Sequence, residues 1–234
     1  MIEQLAIPVR TPAPTLPPGI DLRCADITDV IASLPEPCAR LIVADPPWAY
    51  SQREGVSAAE DHYPGLTIAQ IVEHVELCAT VALPGARLAL WITWPLLGEF
   101  LGAYLAQPRR WRYVTGGAWG KVGRMGQGYH WRGDSEAVLL FAAPGATGRP
   151  DEAISNFHPS PRTEHSRKPV DWQRAWLRAW TRPGDTVLDL YAGLGSVASA
   201  CAIESRRYIG AEIDPTRHAD AVALIRRDLS LARP

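Results

Sequence analysis

The chain has 234 residues, 47% of them apolar, and a formal net charge of −1. This length and apolar content suffice for one domain with a buried core. The near-zero charge excludes a strongly basic nucleic-acid binder but is compatible with a local basic patch. Four cysteines lie far apart without a Cys-x-x-Cys pair, so we predict neither a disulfide framework nor a metal site. No apolar run is long enough to cross a bilayer, and we expect a cytoplasmic protein without a membrane partner.

The first half of the chain alternates predicted strands and helices. Residues 1–19 are proline-rich and predict an extended arm ahead of a single domain over 20–234. Two short buried strands, "IDLRCADI" and "ARLIVADPP", flank a helical stretch. The spacing of "TIAQIVEHVELCATV" predicts a helix that Thr67 caps and Pro84-Gly85 ends. A strand, "ARLALWITW", and a helix opened by Pro95 follow.

The second half continues the alternation. Two strands, "WRYVTGGAWGK" and "SEAVLLFAAP", flank a glycine-rich and basic segment. A helix over "VDWQRAWLRAWT" precedes a strand, a glycine loop, a helix and a strand, and a final helix begins at Pro215. Alternating strands and helices without an internal repeat predict an α/β fold, with a mostly parallel sheet and helices on both faces.

The glycine loop "VLDLYAGLGSVASA" predicts a nucleoside-binding turn. Gly193, Gly195 and Ala198 satisfy a G-x-G-x-x-A spacing between a strand and a helix. Asp189 precedes the loop, and Glu212 ends the next strand, where an acid commonly binds ribose hydroxyls. Dinucleotide enzymes and S-adenosylmethionine enzymes both use this pattern. The loop lies late in the chain, which suits an order in which the catalytic strand comes first.

The stretch "VADPPWAY" places Asp45, Pro46, Pro47 and Trp48 directly after a predicted buried strand. Ligands of open α/β sheets bind at the carboxyl ends of the strands. The prolines restrict the backbone and leave carbonyl acceptors, and an ionised Asp45 is an acceptor only. Two acceptors beside an aromatic face suit a planar ring with an exocyclic amino group, with Trp48 stacked on the ring. We predict that these four residues are catalytic and act by positioning an amino group for methyl transfer.

"ADPPW" is similar to the signature of the MT-A70-like adenine-N6 methyltransferases, a branch of the permuted (β-class) amino-methyltransferases. "CADI", "HYPGLTIAQI", "LALWIT" and "GYHWRGDSEAVLLF" resemble further stretches of that family in the same order. "HSRKP", which ends in Lys168-Pro169, resembles its HSxKP motif. The glycine loop is closer to that of bacterial DNA amino-methyltransferases, with Leu190 and Leu194 in place of a proline and a serine, and this favours DNA as substrate.

The resemblance implies a Rossmann-like class I methyltransferase fold with a circularly permuted motif order and a seven-stranded sheet. It implies S-adenosylmethionine as cofactor, with Asp26 and Ile27 at its adenine end and Lys168 on its carboxylate. Combined with the glycine loop, it predicts a cofactor site formed by Asp26, Ile27, Asp45, Lys168, Asp189, Tyr191, Gly193, Gly195 and Glu212.

The target adenine would be flipped out of duplex DNA or presented in a single strand, because a duplex hides its amino group. Basic residues interleaved with tryptophans predict the phosphate contacts: Arg109, Arg110, Arg112, Lys121, Arg124 and Arg132. No segment is long enough for a separate recognition domain. Inserted loops at about 50–65 and 120–135, or a partner subunit as in a homodimer, would therefore read the DNA sequence.

Four alternatives stay open at this stage. Cytosine-N4 methylation poses the same chemical problem as adenine-N6 methylation, and RNA is a further substrate for the adenine reaction. An NAD-dependent oxidoreductase would use the glycine loop but leave Asp45 to Trp48 without a role. A non-catalytic nucleic-acid-binding subunit would keep the fold but would have no need of an intact Asp-Pro-Pro-Trp stretch.

Overall fold

A computed structural model describes residues 15–34, 37–49, 65–123, 133–146, 152–161 and 167–232. Most of the N-terminal arm, most of the two predicted target-contact loops, and Arg124 and Arg132 lie outside the described residues. No helix in the described ranges combines the length and apolar character needed to cross a membrane.

Strands and helices alternate through most of the chain. The strands are β1 (Ile20–Cys24), β2 (Ala39–Ala44), β3 (Ala82–Ile92), β4 (Arg112–Val122), β5 (Ser135–Ala142), β6 (Phe157–Pro161), β7 (Thr186–Asp189) and β8 (Arg207–Glu212). The helices are α1 (Ile27–Ala32), α2 (Ile68–Cys78), α3 (Trp94–Leu105), α4 (Val170–Trp180), α5 (Ser196–Ile203) and α6 (Pro215–Leu231).

The strands form one sheet in the order β1-β8-β7-β2-β3-β5-β4-β6. Within the described sheet, β5 is antiparallel to its neighbours β3 and β4, and every other pairing is parallel. The prediction of seven strands was wrong: the described sheet is mixed and has eight. The unpredicted strand, β6, contains Pro159 and Pro161, which lack an N–H, and such a strand is tolerated because β6 lies at the sheet edge.

Helices cover both faces of the sheet. The apolar side chains of β2 alternate between the faces: Ile42 and Ala44 pack with helices α1 to α3, whereas Leu41 and Val43 pack with α4 to α6. This burial on both faces explains why "LIVA", residues 41–44, is apolar throughout.

The segment Pro84-Gly85 does not end helix α2 as predicted, but lies inside strand β3. Helix α2 ends earlier, at Cys78, and a short turn leads into the strand. Gly85 has a φ of 80° and donates its N–H to the carbonyl of Pro144. The left-handed backbone that glycine permits therefore lets the start of β3 continue past the proline.

The sheet order brings together two segments that are far apart in the sequence. Strands β2 and β7 are neighbours, with Val43 paired to Asp189, and Leu190 donates its N–H to the Val43 carbonyl over 2.9 Å. Asp45 and the glycine loop therefore leave the sheet side by side. We call this edge of the sheet, where β2, β3, β7 and β8 end, the site edge.

Candidate active site

A cavity of about 550 Å³ opens at the site edge. Its wall includes all four predicted catalytic residues and, of the predicted cofactor residues, every one except Gly195. Residues that the sequence did not single out also line it: His74, Trp91, Thr93, Glu136, Arg167, Gln173 and Arg217. Most predicted site residues thus meet in one place, although they are spread over more than 180 positions of the chain.

Asp45 belongs to a row of alternating charges that crosses three strands. Its Oδ2 accepts a hydrogen bond from Lys168 Nζ over 2.6 Å, and Lys168 Nζ lies 3.2 Å from Glu136 Oε2 on β5. Glu136 in turn accepts a hydrogen bond from Lys121 on β4. The four groups sum to zero charge, and each cation lies over a buried tryptophan ring, Lys168 over Trp91 and Lys121 over Trp119.

The pKa shifts follow from this arrangement. Burial raises the pKa of Asp45 above its ordinary value, and Lys168 lowers it by less. Burial opposes charge on Lys168 too, but Asp45 and Glu136 outweigh it and raise the pKa of Lys168. Burial likewise raises the pKa of Glu136, but Lys168 and Lys121 together lower it by more, so the net shift is downward. Lys168 is therefore a fixed cation that binds Oδ2 of Asp45, and Asp45 itself lines the cavity.

The Pro46-Pro47-Trp48 segment is more firmly packed than expected. The Pro47 carbonyl accepts the Leu66 N–H over 2.6 Å, whereas the Pro46 carbonyl accepts no backbone N–H from the described part of the chain. The Trp48 ring packs edge to face on Phe100 with 5.8 Å between ring centres, and Trp48 is 8% exposed. Its role in stacking on a base stays a prediction, since packing uses most of the ring.

The two loop glycines have different tasks. Gly193 and Gly195 have φ values of 51° and 69°, which favour glycine at both positions. A Cβ on Gly195 would lie 2.9 Å from Ile225 Cδ1, so this glycine lets helix α6 pack closely against α5. Gly193 lines the cavity and donates its N–H to Glu212 Oε2 over 2.9 Å. Of the two glycines, only Gly193 can contact a ligand.

Acidic side chains surround the far half of the cavity. Glu212 is buried at the end of β8, and its second oxygen accepts the Asp214 N–H over 2.9 Å. Asp26 caps helix α1 by accepting from the Thr28 N–H and hydroxyl, and these bonds lower its pKa. Burial raises the pKa of Asp189 to about 7, and the Tyr208 hydroxyl donates to it over 3.0 Å.

Two supporting residues were missed by the sequence reasoning. His74 on helix α2 bonds the Tyr191 hydroxyl over 2.7 Å and stacks on its ring. Arg167 is buried and donates to the Leu194 carbonyl, the Ser199 hydroxyl and Asp228. Arg167 thereby ties the glycine loop to helix α6, directly before Lys168. In the sequence, the one signal for Arg167 was its position next to Lys168 in the "HSRKP" stretch.

The four described residues of the predicted basic patch do not come together at the cavity. Strand β4 runs parallel to β3, so Arg112 lies at the opposite edge of the sheet, roughly 30 Å from Lys121 at 3.3 Å per residue. Arg109 and Arg110 precede strand β4. Arg109 donates to the carbonyls of Tyr104 and Ala103 at the end of helix α3. Lys121 is at the site edge but buried against Glu136. These four residues are therefore not placed to grip a strand at the cavity.

Known proteins are similar to this chain in sequence and in fold. A family model described as "DNA methylase", of the N6/N4 type, matches residues 150–223, which include Lys168 and the glycine loop. The type II methyltransferase M.HhaII of Haemophilus parahaemolyticus is 27% identical over 158 residues, which cover 64% of this chain and 68% of that protein.

Solved structures share the fold over most of the chain. TTHA0409 of Thermus thermophilus, in complex with S-adenosyl-L-methionine, has a TM-score of 0.64 and 19% identity, covering 89% of this chain and 95% of its own. The cytosine-N4-specific PvuII DNA methyltransferase has a TM-score of 0.69 and 13% identity, covering 92% and 93%. These likenesses show a class I methyltransferase fold. Together with the family match and M.HhaII, they make this chain similar to DNA methyltransferases of the N6/N4 type.

Proposed function

We propose that the chain is an S-adenosylmethionine-dependent DNA methyltransferase that methylates N6 of adenine and belongs to the MT-A70-like branch. The observation that carries the proposal is the state of Asp45. One carboxylate oxygen is held by Lys168, and Asp45 lines a cavity beside the glycine loop. An acceptor fixed in this way suits the positioning of an amino group and has no evident purpose in a hydride-transfer enzyme.

The cavity residues fit S-adenosylmethionine. Glu212 lies at a strand end beside Gly193, where a carboxylate suits ribose hydroxyls, and each of its oxygens can still accept a second bond. Asp26 and Ile27 line the end of the cavity next to it and suit an adenine. When bound, the cofactor supplies a methyl group made electrophilic by the sulfonium.

The chain's own part in the reaction is to orient the target amino group. Asp45 Oδ1 and the Pro46 carbonyl would accept its two N–H bonds, which turns the nitrogen lone pair outward. Lys168 keeps Asp45 in one rotamer and favours its ionised form. The amino nitrogen must lose a proton after it gains a methyl group, and Asp45, with its raised pKa, can accept that proton.

The assignment of adenine rests on the similarity of "ADPPW" and its neighbouring stretches to the MT-A70-like signature. Cytosine-N4 methylation is the second candidate, favoured by the fold shared with the cytosine-N4-specific PvuII enzyme. RNA is the alternative carrier of the adenine. DNA is favoured by the family match at residues 150–223 and by the bacterial style of the glycine loop.

The test is incubation with S-adenosylmethionine labelled in its methyl group and with matched single-stranded DNA, duplex DNA and RNA, followed by nucleoside analysis. We expect labelled N6-methyladenine in a DNA pool. Labelled N4-methylcytosine would select the second candidate, and label confined to RNA would replace DNA as the substrate. No binding of S-adenosylmethionine would contradict the whole proposal.

A further inference from the structure

Gln173 is a buried polar residue whose side chain is only half satisfied. It lies on helix α4, is 2% exposed, and lines the cavity. Its Nε2 donates to the Ser196 hydroxyl over 3.1 Å at the start of helix α5. Its Oε1 is buried and accepts no hydrogen bond from any residue in the described ranges. A buried carbonyl without a donor costs free energy, and because Gln173 lines the cavity, its oxygen is a candidate acceptor for a ligand.

The position of Gln173 narrows the choice of ligand group. The sheet order places β1 and β8, with Asp26 and Glu212, on one side of the glycine loop, and β2 with Asp45 on the other. Gln173 bonds Ser196 just after this loop and lies on the helix that follows Lys168. It is therefore on the far side of Gly193 from the groups that suit adenine and ribose.

An unpaired carbonyl oxygen can only accept, so the matching group must be a donor. S-adenosylmethionine carries three kinds of donor: the adenine amino group, the ribose hydroxyls and the α-ammonium of its methionine part. The first two fall to the end of the cavity with Asp26 and Glu212. The α-ammonium is the donor left for the end that holds Gln173.

We propose that Gln173 Oε1 binds the α-ammonium of the cofactor and is the residue that selects for it. This inference rests on the proposed function. The charges of four nearby residues already balance one another: Asp45, Lys168, Glu136 and Lys121. A neutral acceptor such as Gln173 Oε1 therefore adds a bond to the ammonium without a further charge. The Ser196 hydroxyl holds Nε2 of Gln173, so the amide loses little conformational freedom when Oε1 accepts the ammonium.

The inference is tested by calorimetric binding of two ligands to the ligand-free protein. One is S-adenosylhomocysteine, and the other is its analogue with the α-amino group replaced by hydrogen. The unaltered chain should bind the first at least about tenfold more tightly, as expected for a hydrogen bond to a charged group. Gln173→Leu should reduce this ratio to about threefold or less, whereas Gln173→Glu, which keeps an acceptor oxygen, should preserve it.

A second readout does not depend on any ligand. Gln173→Leu removes the unsatisfied carbonyl and should raise the melting temperature of the ligand-free protein. A variant that weakens both ligands equally, or that instead loses discrimination against an analogue lacking the carboxylate, would overturn the inference while leaving the proposed function intact. Failure of the unaltered chain to bind S-adenosylhomocysteine would contradict both.

Discussion

Asp45 and Lys168 form an ion pair in which the cation shapes the behaviour of the acid. In the proposed reaction Asp45 must be ionised to accept one hydrogen of the amino group, and burial alone raises its pKa. Lys168 Nζ, 2.6 Å from Asp45 Oδ2, lowers the pKa and so opposes that shift. Activity should therefore fall as the pH drops through a pKa above the ordinary carboxyl range.

Lys168→Met removes the influence that lowers the pKa of Asp45, so the acid limb of kcat/KM should move to higher pH by about 1–3 units. Lys168→Arg keeps a cation and should leave the limb close to its original position. The measurement is the pH dependence of kcat/KM for each variant with saturating cofactor. A uniform loss of rate at every pH, with an unmoved limb, would show that Lys168 acts only through packing.

At the scale of elements, the direction of strand β4 decides which arginines can reach the substrate. Arg110 and Arg112 lie at the start of β4, at the edge of the sheet opposite the cavity. Arg124 and Arg132 lie between the end of β4 and the start of β5, and both of those strand ends are at the site edge. The two pairs are therefore matched in charge but differ in the sheet edge to which they are connected.

Replacing Arg124 and Arg132 together by glutamate should weaken duplex DNA binding about tenfold or more and reduce its salt dependence. The same double replacement of Arg110 and Arg112 should change the Kd less than about threefold. Fluorescence anisotropy at several salt concentrations measures both. Equal weakening by the two double variants would show that DNA binding does not depend on the sheet edge to which the arginines are connected.

Most helices and strands could be predicted from the sequence, but which strands lie next to each other in the sheet could not. Apolar periodicity, the Thr67 cap and the glycine loop predict most helices and strands, because these signals are local. The antiparallel insertion of β5 between β3 and β4 is a tertiary choice, and it alone brings Glu136 to Lys168 and carries Arg112 away. Gln173 did leave a signal, since it shares a helical face with the buried residues Trp176 and Leu177.

At the scale of the whole molecule, the active site reduces the stability of the fold. Asp189 is 2% exposed, and burial raises its pKa to about 7, compared with an ordinary value near 4. Between these values the folded chain holds a proton that the unfolded chain has lost. The free energy of unfolding therefore falls as the pH rises from about 4 to 7, by at most about 4 kcal/mol for this group.

Asp189→Asn keeps an oxygen for the Tyr208 hydroxyl and removes the titration. The ligand-free variant should match the parent near pH 4 and exceed its unfolding free energy by a few kcal/mol at pH 8. Urea denaturation at both pH values measures the difference. An unchanged slope of stability against pH would assign the titration to another group.

Asp45 is predicted both to position the amino group and to line the cofactor site, and we propose that its charge is needed mainly for the first task. The most direct measurement pairs single-turnover methylation with calorimetric S-adenosylhomocysteine binding for the parent and for Asp45→Asn, which keeps the shape of the side chain and loses its charge. We predict a rate lower by about 10²-fold or more, with a cofactor Kd changed by less than about threefold. A methylation rate close to that of the parent, or a loss of cofactor affinity that accounts for the loss of rate, would contradict the claim.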